Sequence, residues 1–154
     1  MFFKKNLHII GNVNSCNYLA AQIIARKMKK EKFHVEYVFD KVSRRSLWNH
    51  LTTPPGLSSW FADDVSINGN RYIFKWNKDE QEAEVLSVKP EISIRYRWVD
   101  EEDKNVYFEF SIHTAELTGA TTLEITDFAE PHEQKDSINL WDSQIEGLKR
   151  TLGI

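Results

Sequence analysis

The chain has 154 residues, 41% of them hydrophobic, 12% aromatic and 28% charged, the proportions of one soluble domain able to offset the entropy of ordering its backbone. A net charge of -3 gives no electrostatic footprint for nucleic acid, and no apolar run reaches the roughly 18 residues of a membrane-spanning helix. The single cysteine, Cys16, excludes a disulfide framework and a multi-cysteine zinc site.

The charge is uneven: residues 1–32 carry seven Lys/Arg against one acid, and residues 33–154 carry 13 against 22. Lys4 and Lys5 suit the basic start of a signal peptide, but Leu7-His8-Ile9-Ile10-Gly11-Asn12 is too broken for its apolar stretch. Tyr18 to Met28 has the spacing of one short helix, with Leu19, Ile23 and Ile24 on one face. Residues 1–30 therefore read as an extension outside the fold. Met28 reads as a natural start just before the first strand, so residues 1–27 are expected to be an upstream over-reading of the gene. The expected location is the cytoplasm.

From Phe33 the pattern becomes regular. Phe33, Val35, Tyr37 and Phe39 alternate with His34, Glu36 and Val38, a half-buried strand of period two. Ser43 suits the N-cap of a helix over Arg44 to Leu51 that buries Leu47, Trp48 and Leu51. Thr52-Thr53-Pro54-Pro55-Gly56 stops it, and Leu57 to Phe61 is expected to form a second short helix. Val65 to Ile67 and Arg71 to Trp76 flank Asn68-Gly69, a strong hairpin signal. Glu82 to Val88 is a weaker strand. Ile92, Ile94, Tyr96 and Trp98 form one strand face, Val106, Phe108, Phe110 and Ile112 the next, and Leu123 and Ile125 the last. Short loops between successive strands imply an antiparallel meander. The closing helix runs from about Glu133 to Leu152, with Ile138, Trp141, Ile145, Leu148 and Leu152 in one stripe. Gly147 inside it costs about 1 kcal/mol against alanine and is expected to mark a close approach of helix to sheet.

The segment Trp48-Asn49-His50-Leu51-Thr52-Thr53-Pro54-Pro55-Gly56-Leu57-Ser58-Ser59-Trp60-Phe61 resembles the W-x-x-(L/I)-T-x-P-x-x-(L/I)-x-x-W-(W/F) signature of START-like proteins. Within them it looks like the branch of activators of heat-shock-protein ATPase homologues, and the Trp141 to Leu152 stripe fits that family's closing helix. The resemblance covers residues 31–154. It implies an α+β helix-grip fold: a curved antiparallel sheet of about six to seven strands wrapped round a long C-terminal helix, with two short helices after the first strand. It also implies an apolar cavity between sheet and helix, as in many relatives. The residues expected to line such a cavity are Tyr72, Phe74, Trp76, Tyr96, Trp98, Phe108 and Phe110 from the sheet and Trp141 and Ile145 from the helix. Trp48, Trp60 and Phe61 are expected near its entrance. The same rings would equally well fill a solid core of native density.

Catalytic motifs are missing from the sequence: no Walker loop, G-x-G-x-x-G, G-x-S-x-G or H-E-x-x-H. His8, His34, His50, His113 and His132 lack metal-ligand spacing, and Asp100 to Asp103 lacks the glycine and terminal glutamate of a calcium loop. His50 reads as a surface or capping residue, and Asp63-Asp64 as turn chemistry. Arg95 and Arg97 share an outer face and are expected to pair with Glu109 or Glu84. No catalytic residue, metal or cofactor is expected. The first function reading is a non-catalytic domain that binds a small hydrophobic or amphipathic ligand. A co-chaperone-like protein-interaction domain comes second, and an enzyme of the polyketide cyclase or hydratase type third.

Overall fold

The alternation that begins the regular part of the sequence folds as strand β1 (Glu31–Phe39), with Phe33 and Phe39 buried and His34, Glu36 and Val38 exposed. The computed structural model describes residues 29–154. The readings placed on residues 1–28, among them the helix at Tyr18 to Met28 and the setting of Cys16, lie outside the described residues.

Helix α1 (Arg44–Thr52) starts at Ser43, whose side chain accepts from the Ser46 N–H, and buries Leu47 and Leu51. Helix α2 (Pro54–Ser58) follows after the single residue Thr53. It begins three residues earlier than expected, because the two prolines open it rather than merely ending α1. Thr53 is its N-cap, accepting from the Gly56 N–H at 3.1 Å, and prolines fit the first helical positions, where no N–H partner exists. Gly56 is forced by the packing: a Cβ there would lie 2.2 Å from the Asn49 carbonyl oxygen and 2.6 Å from His50 Cα.

The remaining strands are β2 (Asp64–Asn68), β3 (Arg71–Trp76), β4 (Asp79–Lys89), β5 (Ser93–Trp98), β6 (Phe108–Thr114) and β7 (Thr121–Ala129). They form one seven-stranded antiparallel sheet in the order β1-β7-β6-β5-β4-β3-β2. The β2–β3 loop is Gly69-Asn70, one residue later than expected, since Asn68 pairs with Arg71 and Gly69 takes the positive φ of +63°. A bulge between Val85 and Ser87 re-phases β4, so Val88 joins the inner row with Ile94, Phe110, Ile125 and Val35.

Helix α3 (Gln134–Leu152) crosses the inner face and buries Trp141, Ile145 and Leu148. It ends on Gly153 at φ +77°, whose N–H returns to the Arg150 carbonyl, a left-handed cap that any Cβ would strain. On the outer face Arg95 meets Glu109 at 2.7 Å and Arg97 meets Glu84 at 3.3 Å, as the spacing predicts.

Candidate functional site

The inner face is an aromatic cluster. Phe61 stands at its centre, 5.1 Å from Phe74, 5.7 Å from Trp76, 6.3 Å from Phe108 and from Phe110, and 6.1 Å from Trp141 by ring centroids. Tyr96 stacks on Phe108 at 5.1 Å and meets Tyr72 edge-on at 5.2 Å, and Trp98 stacks on Phe108 at 4.9 Å. Such offset and edge-on pairs are the favourable geometries for rings. Ile145 is fully buried, and Trp48 packs half-buried against the core. The structure thus brings the sequence-predicted residues to one face, with their rings against one another between sheet and helix.

The polar handles of these rings have a structural use. The last carbonyls of a helix lack intrahelical partners, and at α1 aromatic donors supply them. The Trp60 indole donates to the His50 carbonyl at 2.8 Å, the Tyr96 hydroxyl to Leu51 at 3.0 Å and the Tyr72 hydroxyl to Thr52 at 2.8 Å. The Trp76 indole donates to the Phe61 carbonyl at 2.7 Å. Burial raises the pKa of both Tyr96 and Tyr72. Tyr96→Phe should therefore lower unfolding free energy by about 1–2 kcal/mol, because it leaves a buried carbonyl unpaired. Urea denaturation with an unchanged slope would show it; an unchanged midpoint would mean water replaces the hydroxyl.

A groove of about 330 Å³ opens beside this cluster, between the α2–β2 connection and α3, lined by Trp60, Phe61, Trp76, Gln144, Gly147 and Arg150 among others. Gly147 is not the close-packing glycine that the sequence suggests. Among the described residues a Cβ placed on it would meet only the Arg150 guanidinium, at 3.8 Å, so the residue leaves the groove wall flat rather than admitting the sheet. Of the expected entrance residues, Trp60 and Phe61 line this groove and Trp48 does not. His50 is a helix residue whose Nδ1 lies 2.8 Å from the Ser46 carbonyl, and Asp63 accepts the Asn77 N–H at 2.6 Å, which is turn chemistry.

One inward residue escapes the sequence reading. Asp127 continues the inner row of β7 past Leu123 and Ile125. Its Oδ2 accepts the Trp141 indole N–H at 2.9 Å and its Oδ1 the Phe128 N–H at 2.8 Å. The residue keeps the accessible surface of a half-buried side chain, yet protein atoms surround it densely. Desolvation raises its pKa from 3.8 to about 6, against the lowering effects of both hydrogen bonds and of Lys30. Strict continuation of the period-two pattern was the signal that could have found it. The turn before α3 also gathers Glu130, His132 and Glu133, with His132 Nε2 at 3.6 and 3.9 Å from the two carboxylates, the distances of surface ion pairs.

Residues 27–154 match the START-like superfamily domain. Among solved structures the chain is similar to the solution structure of BfR322 from Bacteroides fragilis, at 41% identity and a TM-score of 0.61, over 82% of this chain and 94% of that one. It shares its fold with the Aha1 dimer from Colwellia psychrerythraea, at 19% identity and a TM-score of 0.60 over 79% of this chain and 92% of that one. It also shares it with DynU16, a putative protein in the dynemicin biosynthetic locus, at 20% identity and a TM-score of 0.66 over 81% of this chain and 48% of that one. No curated protein matches. With its signature segment, its seven-stranded antiparallel sheet and its closing helix, the chain belongs to the START-like superfamily.

Proposed function

We propose that this START-like domain binds an amphipathic small molecule, without chemistry on it, in the groove between the α2–β2 connection and α3. The observation that carries the reading is Gly147, a helix-interior glycine at whose Cβ position the one neighbour among the described residues is the mobile end of Arg150, at 3.8 Å. Alanine or leucine there would favour the helix by up to about 1 kcal/mol, and the glycine instead keeps the groove wall clear. Trp60 is the half-exposed ring of that groove, with Phe61 and Trp76 buried behind it; Ser59, Asp63, Ser143 and Gln144 add polar lining, and Arg150 a guanidinium that has no ion pair among the described residues. A ligand with an acidic head and an apolar body fits that lining. An apolar tail that displaces the Phe61 ring would reach Phe108, Phe110 and Trp141 behind it, and beyond them Phe74, Tyr96, Trp98, Tyr72 and Ile145. The non-catalytic reading is supported by the hydrogen bonds of Ser59, Trp60, Trp76 and Asp63, all spent on backbone groups.

Titrating the protein with dodecanoate should give saturable calorimetric binding and a change in tryptophan emission. Gly147→Leu should weaken that binding at least tenfold while raising the melting temperature, which separates blockage of the groove from unfolding. Equal affinity in Gly147→Leu, or no saturation up to millimolar ligand, would overturn the groove as the site. A second reading, a surface for a protein partner, rests on Leu86, Val88 and Ile92, which are 40%, 50% and 53% exposed around the β4–β5 turn. Single exposed apolar residues are ordinary, but three within seven positions, two at the end of β4 and one in the turn after it, are what a partner could cover.

A further inference from the structure

Strand β4 outruns its neighbour β5. The last paired residues are Ala83 and Trp98. The Val99 N–H still reaches the Glu82 carbonyl at 2.9 Å, and the chain then turns away, with the Glu101 N–H returning to the Trp98 carbonyl at 3.0 Å. The first residues of β4 are thus left without a strand on that side. A notch of about 290 Å³ opens there, lined by Glu80, Gln81, Glu82, Val99 and Asp100, so that all but one of its side chains offer oxygen acceptors. Gln81 lies on the inner row, opposite Phe74, and is 8% exposed. Its amide oxygen Oε1 is buried and has no hydrogen-bond partner. Nearly all buried polar groups in folded proteins have one, because an orphan acceptor forfeits its hydration.

We propose that this notch binds a linear diamine, one ammonium donating to Gln81 Oε1 and the other held by Glu80 and Glu82. The orphan is an acceptor, so its partner is a donor, and the surrounding carboxylates make that donor a cation. A metal ion does not suit the notch: among the described residues Glu80, Glu82 and Asp100 do not bring three carboxylate oxygens within 4.8 Å of one another. Glu80 and Glu82 stand two residues apart on β4, about 7 Å along the strand, with Gln81 between them on the opposite face. An alkyl chain of four or five carbons spans that spread, and Val99, 46% exposed, offers its methylenes an apolar contact. Glu80 and Glu82 already meet Lys75 at 3.7 Å and Arg71 at 3.3 Å. Both pairs are open to water, where such contacts hold weakly, so a second ammonium can share the carboxylates. The notch has no lining residue in common with the groove beside α3, and the two sites stand or fall separately.

The test titrates the full chain with butane-1,4-diamine at about 0.15 M salt, where exposed charges are screened beyond about 8 Å. Calorimetry should show saturable one-to-one binding, and the side-chain amide resonances of Gln81, assigned by their loss in Gln81→Leu, should shift with the same midpoint. Gln81→Leu should weaken binding at least tenfold without altering the charge of the protein. A diffuse attraction of the diamine to the acidic surface would not distinguish leucine from an uncharged glutamine. Glu82→Gln should weaken binding several-fold, and butylamine, with one ammonium, should bind at least tenfold more weakly than the diamine. Should Gln81→Leu fail to fold, Gln81→Met keeps the length of the side chain without its amide and takes its place. Equal affinity in the Gln81 variant, equal binding of butylamine and the diamine, or no saturation up to millimolar diamine overturns the site.

Discussion

Trp141→Ala is expected to cost about 3–5 kcal/mol of unfolding free energy, the usual loss for a buried large aromatic, which is a large part of what holds a domain of this size folded. The indole is 1% exposed. It stacks on Phe61 at an interplanar angle of 13° and meets Phe110 edge-on at 89°, so its removal opens a void at the centre of the ring cluster rather than at a rim. The variant also strips Asp127 of its indole donor. Trp141→Phe separates the two effects, since it keeps a ring but not the N–H, and should lose about 1–3 kcal/mol, more above pH 6 than below it. Denaturation followed by far-ultraviolet circular dichroism avoids reliance on the deleted fluorophore. A loss under about 1 kcal/mol for the alanine variant would place Trp141 outside the core.

What was legible in the sequence is what local periodicity encodes. The alternation of Phe33 to Phe39, the rows at Tyr96 and Phe108, and the Trp141-Ile145-Leu148 stripe each need only the geometry of one element, and each folds as read except at the row starts, where Ile92 and Val106 precede β5 and β6 and Ile92 is exposed in the turn. The outer pairs Arg95–Glu109 and Arg97–Glu84 follow from neighbouring strands of a meander. The misreadings arise where two elements meet. Pro54-Pro55 looks like a stop from the side of α1 and is a start from the side of α2, and only the Thr53 cap decides between them. Gly147 reads as a packing glycine because a sequence does not say what stands opposite a helix position, and opposite this one, among the described residues, stands the end of the Arg150 side chain rather than the sheet. Gly56, by contrast, sits against the α1 backbone, though nothing in its own neighbourhood of sequence distinguishes the two. Asp127 was passed over because a polar residue at an inward register breaks the apolar pattern, and its indole partner lies 14 positions away on another element.

The second large effect concerns that same carboxylate and global stability. Burial raises the Asp127 pKa from 3.8 to about 6 in the folded protein, so the folded state holds a proton that the unfolded state releases. Stability from this group is fully present below about pH 4 and is lost as pH rises to about 6, after which it stays low. The full shift corresponds to roughly 3 kcal/mol. Asp127→Asn removes the buried charge and keeps an acceptor for the Trp141 indole. It should therefore stabilise the protein by on the order of 2 kcal/mol at pH 8, the hydrogen bond to a neutral acceptor being weaker than to a carboxylate. Near pH 4 the gain should disappear, because wild type is then protonated at that position as well. Asp127→Ala should fare worse at both pH values, since it removes the carboxylate that accepts the Trp141 N–H. Urea midpoints of the three proteins between pH 4 and 8 measure all of this. A stabilisation by Asn that does not change with pH would mean that Asp127 is neutral, or charged, throughout that range. If Asn is less stable than wild type at pH 8, the ionised carboxylate is worth more to the fold than its burial costs.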